Sequence, residues 1–353
     1  MANLKTTTIN DSGFLQLPIG SFADRPAVPI DGYIRYNSDI DAPEWYDSIY
    51  DRWFLTDYIP VVASGGTNQT DVNINGNTYR VHSFTTTGVD QFTVSRSGIV
   101  DILVVGGGGG GGVEGGGGGG AGGIVFVQNK VLSIGTYSVF VGAGGNAITF
   151  TGDIEDLPSF PGESSSFADI TAFGGGGGGS YDSTTTDPNR NGRPGASGGG
   201  GGPTGTNFNF SDGGAGTPLQ GYHGGDGART DDYFGAGGGG AGSPGENSRD
   251  IVPGDGGQGL YYGSYFSESY GENGWFAGGG GGGSHPSSNV PGGDGGIGGG
   301  GKGGSEQSGD SRGRPGVANT GGGGGGAADD VNNPPAGSGS GGSGIVIIRY
   351  RIS

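Results

Sequence analysis

Glycine in this chain comes in unbroken runs, and an unbroken run leaves a backbone few ordered states. Seven glycines stand at 106–112, and runs of six fill 115–120, 174–179, 278–283 and 321–326. Collagen places glycine at every third position beside proline-rich partners, so consecutive glycine excludes it. Because glycine gives up more conformational freedom on folding than any other residue, such runs are either linkers or held by something outside themselves. Disorder goes with few aromatics and dense charge; here 15 Tyr, 16 Phe and 3 Trp accompany only 14% charged residues, which favours order. The ordered state open to polyglycine is the extended helix of three residues per turn, rising ~3.1 Å per residue without internal hydrogen bonds. Its amides bond sideways, and with no Cβ in the way several such helices can lie side by side. A six-residue run then spans roughly 19 Å.

The formal net charge of −18 repels nucleic acid and anionic bilayers, so neither a nucleic-acid partner nor membrane insertion is expected. There is no cysteine, which removes disulfides and thiolate metal sites. The first residues, MANLKTTTIN, lack the apolar stretch of a secretory signal, and no apolar run approaches the ~20 residues of a membrane span. A soluble protein with no export signal is the expectation.

The pattern predicts an all-β protein: an antiparallel β-sandwich, a large lobe of polyglycine-II type and a small N-terminal β module. Residues 1–58 form the module, with strand-like pieces at Phe14–Leu17, Tyr33–Asn37, Trp45–Tyr46 and Trp53–Leu55 between proline and glycine turns. So short a module makes a thin core, and Trp45, Tyr46, Trp53 and Phe54 are expected to be covered by other copies or a docking partner. Residues 59–71 read as a polar linker. Strand-like runs follow at 79–84, 91–95, 99–105, 124–128, 136–141, 166–173 and 345–350, giving a sandwich from 72–173 plus 345–353. The glycine lobe is then 174–344, an insertion pinned at its base. Its strong runs begin at 174, 198, 235, 278, 292, 321 and 337; an odd number of crossings ends at the wrong end, so at least one weaker segment, such as 213–216 or 254–259, must cross too.

Catalytic motifs fail on context. Polyglycine matches G-x-G-x-x-G trivially, but no helical pattern follows any run; Lys302 is followed by Gly303 where a phosphate loop needs Ser or Thr. Ser197 sits in a G-x-S-x-G match between a loop and a glycine run, not on a strand-to-helix elbow. His82, His223 and His285 show no metal-ligand spacing, and His82 reads as a strand residue. The turn carboxylates Asp231, Asp232, Asp329 and Asp330 read as solvated, without the calcium β-roll repeat. No catalytic residue, metal or cofactor is assigned, and the chain is read as a non-enzyme.

INDSGFLQLPIGSFADRPAVPIDGYIRYNSD, followed by Glu44-Trp45-Tyr46 and Trp53, resembles a short module of fibre and other virion appendage proteins of tailed bacteriophages. Strand, glycine run, IVFV and a closing GGSGIVIIRY are similar to the glycine-rich domains of phage structural proteins and to the glycine-rich adhesins at tail-fibre tips. The resemblance implies a virion protein made in the host cytoplasm and released by lysis, a homotrimer or a virion-docked module, and binding of a host-surface saccharide or outer-membrane protein. The glycine runs carry no chemical identity, so recognition is expected in the loops between them. The best candidate is the aromatic segment 260–276, through Tyr261, Tyr262, Tyr265, Phe266, Tyr270, Trp275 and Phe276; 180–194 and 305–319 come next. The competing reading of 260–276 is that its rings cap the glycine bundle. A purely structural appendage on head, neck or tail is the alternative function, and an ice-binding polyglycine slab a weaker one.

Overall fold

A computed structural model describes residues 16–39, 42–56, 60–149, 159–181, 188–204, 211–227, 234–249, 252–285, 290–305, 310–328 and 337–352. The chain divides into two compact units, Met1–Pro60 with Ile352–Ser353, and Val61–Arg351.

The first unit is a four-stranded sheet ordered β1 (Ile19–Gly20), β2 (Ile34–Asn37), β3 (Ala42–Asp47) and β4 (Arg52–Leu55). β1 pairs parallel with β2, and the remaining pairs are antiparallel. Gln16 and Leu17 lie outside any strand, while Phe14 is outside the described residues. The buried positions of β2 are polar, Arg35 and Asn37, and they close on buried Glu44. Asn37 donates to Glu44 Oε2 at 3.0 Å, Arg25 donates to Oε1 at 3.1 Å, and Arg35 Nε lies 3.4 Å from Oε1.

In the second unit two five-stranded antiparallel sheets face each other. One is built from β5 (Val62–Gly65), β8 (Gly88–Arg96), β11 (Gly135–Val141), β12 (Ser165–Phe167) and β13 (Ile170–Ala172), in the order β13-β12-β11-β8-β5. The other contains β6 (Asn68–Ile74), β7 (Asn77–Phe84), β9 (Gly98–Val105), β10 (Ile124–Leu132) and β16 (Ile345–Arg351), in the order β10-β9-β16-β7-β6. The stretch expected as a linker is therefore two edge strands: Asn68 to Asp71 are all exposed, and an edge strand with no buried face reads as polar loop in sequence. The seven expected strands form, and 166–173 is a hairpin turning at Ala168, φ +51°.

β16 is central, antiparallel to both β9 and β7, and Ile345 to Tyr350 are all buried. Between the sheets, His82 makes a ring contact with Tyr350 at 5.6 Å and meets Phe92 edge-on at 5.1 Å, and Phe92 in turn meets Phe167. On the other face of the same sheet, Val81, Leu103, Ile345 and Ile347 pack against Phe266 and Phe276. Burial on both faces is why IVDILVV and IVIIRY are continuous apolar runs rather than alternating ones.

From the sandwich the chain repeatedly crosses a glycine lobe. Among the described residues, nine outward passes (106–112, 142–148, 174–180, 198–204, 221–227, 243–249, 278–284, 299–305 and 321–328) alternate with nine return passes (115–123, 159–164, 189–196, 211–216, 234–241, 252–259, 290–297, 310–317 and 337–344). The hairpin read from the sequence, Gly106–Gly112 out and Gly115–Gly120 back about Val113-Glu114, forms and belongs to the lobe, and a second one, 142–164, arises inside the span expected to be sandwich. Within 174–344 seven weaker segments cross as well as the seven strong runs, 211–216 and 252–259 among them, and parity is met.

The lateral bonds repeat every three residues. Gly106, Gly109 and Gly112 donate to Gly123, Gly120 and Gly117; Gly107 and Gly110 donate to Glu163 and Phe160; Gly108 and Gly111 donate to Gly342 and Gly339. Three faces bonding to three different passes is the signature of three residues per turn. Pass 115–123 lies at the centre of the lattice, donating to 174–180, 234–241 and 321–328 and accepting from 106–112, 198–204 and 278–284. Those seven passes hold the longest glycine runs, broken by Ala236 and by Ala121. A Cβ at Gly118 would fall less than 3.0 Å from the carbonyl of Gly280, so a helix with six neighbours has no room for side chains.

Outer passes have a free face and carry a side chain on it. Val252, Asp255 and Gln258 are exposed while the glycines between them are buried, and Pro291, Asp294 and Ile297 repeat the pattern. Some of these side chains cap the backbone of the next helix: Asp294 N–H donates to Asp255 Oδ1 at 2.6 Å, and Ile297 N–H to Gln258 Oε1 at 3.1 Å.

Candidate functional site

Return passes reconnect to outward ones at the sandwich end, through turns such as 217–220, 241–243 and 318–321. The opposite end is where each outward pass gives over to its return, and it forms a rim of polar residues. At its centre the chain turns at Val113-Glu114, Glu114 taking φ +58°, and Val113 packs with Ile148 and Ala327 in a small buried cluster. Val113 N–H donates to Ser180 Oγ at 3.1 Å and Ser180 N–H to the Asn189 carbonyl at 3.0 Å. Around this centre, Arg249 and Val252 exchange backbone bonds, as do Ser305 and Asp310. Asp310 takes Arg312 at 3.0 Å and Arg314 at 2.8 Å; the Arg312 hydrogen bond holds its carboxyl below the ordinary range against a desolvation penalty. Arg190 Nε and Nη1 and Thr204 Oγ1 are buried at this end with no hydrogen-bond partner among the described residues. Candidate segments 180–194 and 305–319 reach the rim, although 182–187 and 306–309 are outside the described residues.

Segment 260–276 lies elsewhere. It contains β14 (Leu260–Tyr261), the one-turn helix α1 (Gly263–Phe266) and β15 (Trp275–Phe276), and it leaves the lobe at the sandwich end, between return pass 252–259 and outward pass 278–284. Its rings cover the outer face of the sheet containing β16. Phe126 of β10 meets Tyr262 at 5.1 Å, Tyr265 at 4.9 Å and Phe266 at 5.8 Å. Tyr270 shares a 3.1 Å hydrogen bond with Thr70 of β6, and Arg349 of β16 donates to the Tyr265 carbonyl. Phe266 and Phe276 are fully buried, and burial, with the neighbouring Tyr265, raises the Tyr262 pKa. The expectation of a distal loop is therefore corrected: 260–276 is proximal, and its rings cover the sandwich face together with the adjoining base of the bundle at Ala121 and Ala241. Two-face burial of β9 and β16 demanded such a cover. Tyr261 and Trp275 remain at the surface, 5.4 Å apart.

A family model for a glycine-rich domain matches residues 84–351. The chain belongs to this glycine-rich domain family. No curated protein matches it. The glycine-rich domain, in these bounds, runs from the end of β7 to the end of β16, and so takes in every pass of the lobe and most of the sandwich.

Trp45, Tyr46, Trp53 and Phe54 lie outside that domain. Tyr46 and Phe54 are buried within the first unit itself, Trp45 meeting Phe54 at 5.7 Å and Tyr46 meeting Trp53 at 5.6 Å. The apolar surface left open is a set the sequence reading did not single out: Ile19, Val28, Ile30, Tyr33, Ile34 and Ile49. Pro18, Ile19, Pro26, Val28, Ile34 and Trp53 line a groove there of about 530 Å³. The inverted alternation of β2, with Ile34 out and Arg35 in, was the available signal. Burial works against charge on Glu44, but hydrogen bonds from Arg25 and Asn37 and the charges of Arg25 and Arg35 outweigh it and lower its pKa.

Ser197 is buried at the turn between return pass 189–196 and outward pass 198–204, and His82 in β7 is hydrogen-bonded to the Gly65 carbonyl at 2.7 Å and the Tyr350 hydroxyl at 3.0 Å. Asp231, Asp232, Asp329 and Asp330 lie outside the described residues. Among the described residues no three His, Asp or Glu side chains assemble as a metal site, and no helix is long and apolar enough to cross a membrane.

Proposed function

We propose that this protein is a tailed-bacteriophage virion fibre protein whose glycine lobe presents a rim of loops to a host-surface saccharide or outer-membrane protein. The observation that carries the reading is the gathering of successive outward-to-return connections at one end of an otherwise featureless lattice. A lattice of backbone amides offers nothing selective, whereas the sequences joined to it at the rim, such as YDSTTTDPNRN and ADDVNNPPAG, are dense in hydroxyls, amides and carboxylates. Arg190 Nε and Nη1 and Thr204 Oγ1, buried there with no partner among the described residues, are groups a ligand would satisfy. The exposed apolar face of the first unit suits docking to other virion proteins or to two further copies in a trimer. In this role the protein has no catalytic residue or cofactor and works by non-covalent contact.

Immunolabelling of intact particles, combined with adsorption of purified protein to host cells, tests the reading. Label at fibre tips is expected. Protein in which 182–187 and 329–336 are replaced by glycine-serine of equal length should keep its melting temperature and lose adsorption. Label confined to the capsid, or full adsorption by the replaced protein, overturns it in favour of a structural appendage.

A further inference from the structure

Where the proximal cover meets the sheet it leaves a second concave site. Ile74, Asn75, Asn77, Tyr79, Ser264, Tyr265 and Arg349 enclose about 290 Å³. Three rigid elements build it. β6 and β7 join through a two-residue turn in which Asn75 and Gly76 take φ +51° and +82°, a tight hairpin that fixes the Asn75 direction. α1 supplies Ser264 and Tyr265 from the opposite wall, and β16 supplies Arg349 as the floor.

The floor is electrically spent. Arg349 Nε and Nη2 lie 2.9 and 2.8 Å from Asp101 Oδ2, Nη1 is bonded to the Tyr265 carbonyl, and the guanidinium stacks 4.3 Å from the Tyr79 ring centroid. The remaining groups are neutral and uncommitted. The side-chain amides of Asn75 and Asn77 and the hydroxyls of Tyr79, Ser264 and Tyr265 make no hydrogen bond within the described protein. Two tyrosine rings, two free amides and a free serine hydroxyl facing one small hollow, with no unpaired charge, suit a compact ligand that is uncharged, rich in hydroxyls and apolar on one face.

We propose that this hollow binds one pyranose residue of a neutral saccharide, at the sandwich end and independently of the rim. Its volume lies just below the ~300–1,000 Å³ typical of small-molecule sites, which fits a monosaccharide and not a longer chain. Amides of Asn75 and Asn77 hydrogen-bond vicinal hydroxyls, Ser264 takes a third, and the sugar's apolar face meets the ring surfaces of Tyr79 and Tyr265 that the Arg349 guanidinium, 4.3 and 5.2 Å from their centroids, leaves open. An acidic or cationic sugar finds no counter-charge here.

The test is a titration of the full-length, ¹⁵N-labelled protein with the methyl glycosides of glucose, galactose, mannose and N-acetylglucosamine. At least one should give saturable shifts at the Asn75 and Asn77 side-chain amides and the Ser264–Tyr265 backbone, with a Kd on the order of millimolar for so small a ligand. Asn77→Ala with Ser264→Ala should weaken it about tenfold at an unchanged melting temperature, while the protein with its rim segments replaced should bind the glycoside as before. No saturable shift with any of the four, shifts confined to the rim, or undiminished affinity in the double variant overturns the proposal. Loss of cell adsorption with glycoside binding intact bears only on the rim.

Discussion

Gly280→Val places two methyls and a Cβ at the heart of the lattice. Gly280 lies in pass 278–284, whose N–H groups reach 115–123, 252–259 and 299–305 and whose carbonyls serve 234–241, 290–297 and 321–328. The new Cβ would lie less than 3.0 Å from the Gly324 carbonyl, so the passes 278–284 and 321–328 must separate. Separation strains three bonds at once: Gly280 N–H to Gly119 at 2.9 Å, Gly238 N–H to Gly280 at 2.9 Å, and Gly119 N–H to Gly324 at 2.8 Å. A buried backbone group left unpaired costs ~1–3 kcal/mol, so three give roughly 3–9 kcal/mol. At ~2–4 °C per kcal/mol, calorimetry should record a fall of order 10 °C or more in the transition of the Val61–Arg351 unit. Lys302→Ala is the control, removing only an exposed ion pair with Asp294 worth ~0–1 kcal/mol. Equal melting of the two variants would refute the lattice as the source of stability.

Phe266→Ala, emptying a fully buried site beneath α1, should destabilise the sandwich by ~3–5 kcal/mol in chemical denaturation, whereas Trp275→Ala at the surface should cost far less. Amide exchange should rank the lobe by position, with Gly118 and Gly119 among the slowest and the outer pass 252–259 measurably faster. Burial lowers the His82 pKa below 6.5, so its neutral form is the one the sandwich holds; the contribution is complete above pH ~6.5 and drains away as pH falls towards the lowered value, a slope that His82→Gln should remove from a pH series of urea melts. Glu44, with its pKa lowered, stabilises the first unit fully above its ordinary 4.5, and that contribution should disappear as the solution is acidified through the folded-state value; Glu44→Gln should abolish the acid-dependent part of the transition.

Glycine runs were legible because six-fold neighbours forbid a Cβ, which writes interior helices into the sequence as unbroken glycine. Outer helices escape notice, since a free face lets every third residue be anything: PGDGGQG and PGGDGGI look like loops until Asp255, Gln258, Asp294 and Ile297 are seen to share one periodic exposed row. The strands at 99–105 and 345–350 were plain, yet their lack of alternation also called for a cover over the second face. Segment 260–276 was recognised as aromatic, but placing it required knowing which end of the lobe it leaves from, and that depends on counting the weak passes. In the first unit the large rings drew attention, while the exposed surface belongs to Ile19, Val28 and Ile34; polar residues facing inward at Arg35, Asn37 and Glu44 reverse the usual sense of a strand pattern.

The central place of β16 has a consequence for biosynthesis. About 240 residues separate Val105 at the end of β9 from Ile345 at the start of β16. At a ribosomal pace of ~5–20 residues per second, β7 and β9 wait roughly 12–48 s for the strand that joins them. During that interval the nascent chain carries two apolar strands with open edges, the kind of edge on which unrelated chains add and aggregate. All of the glycine passes from 142 to 344 are synthesised in that interval, so β16 can close the sheet only after the whole lobe has emerged.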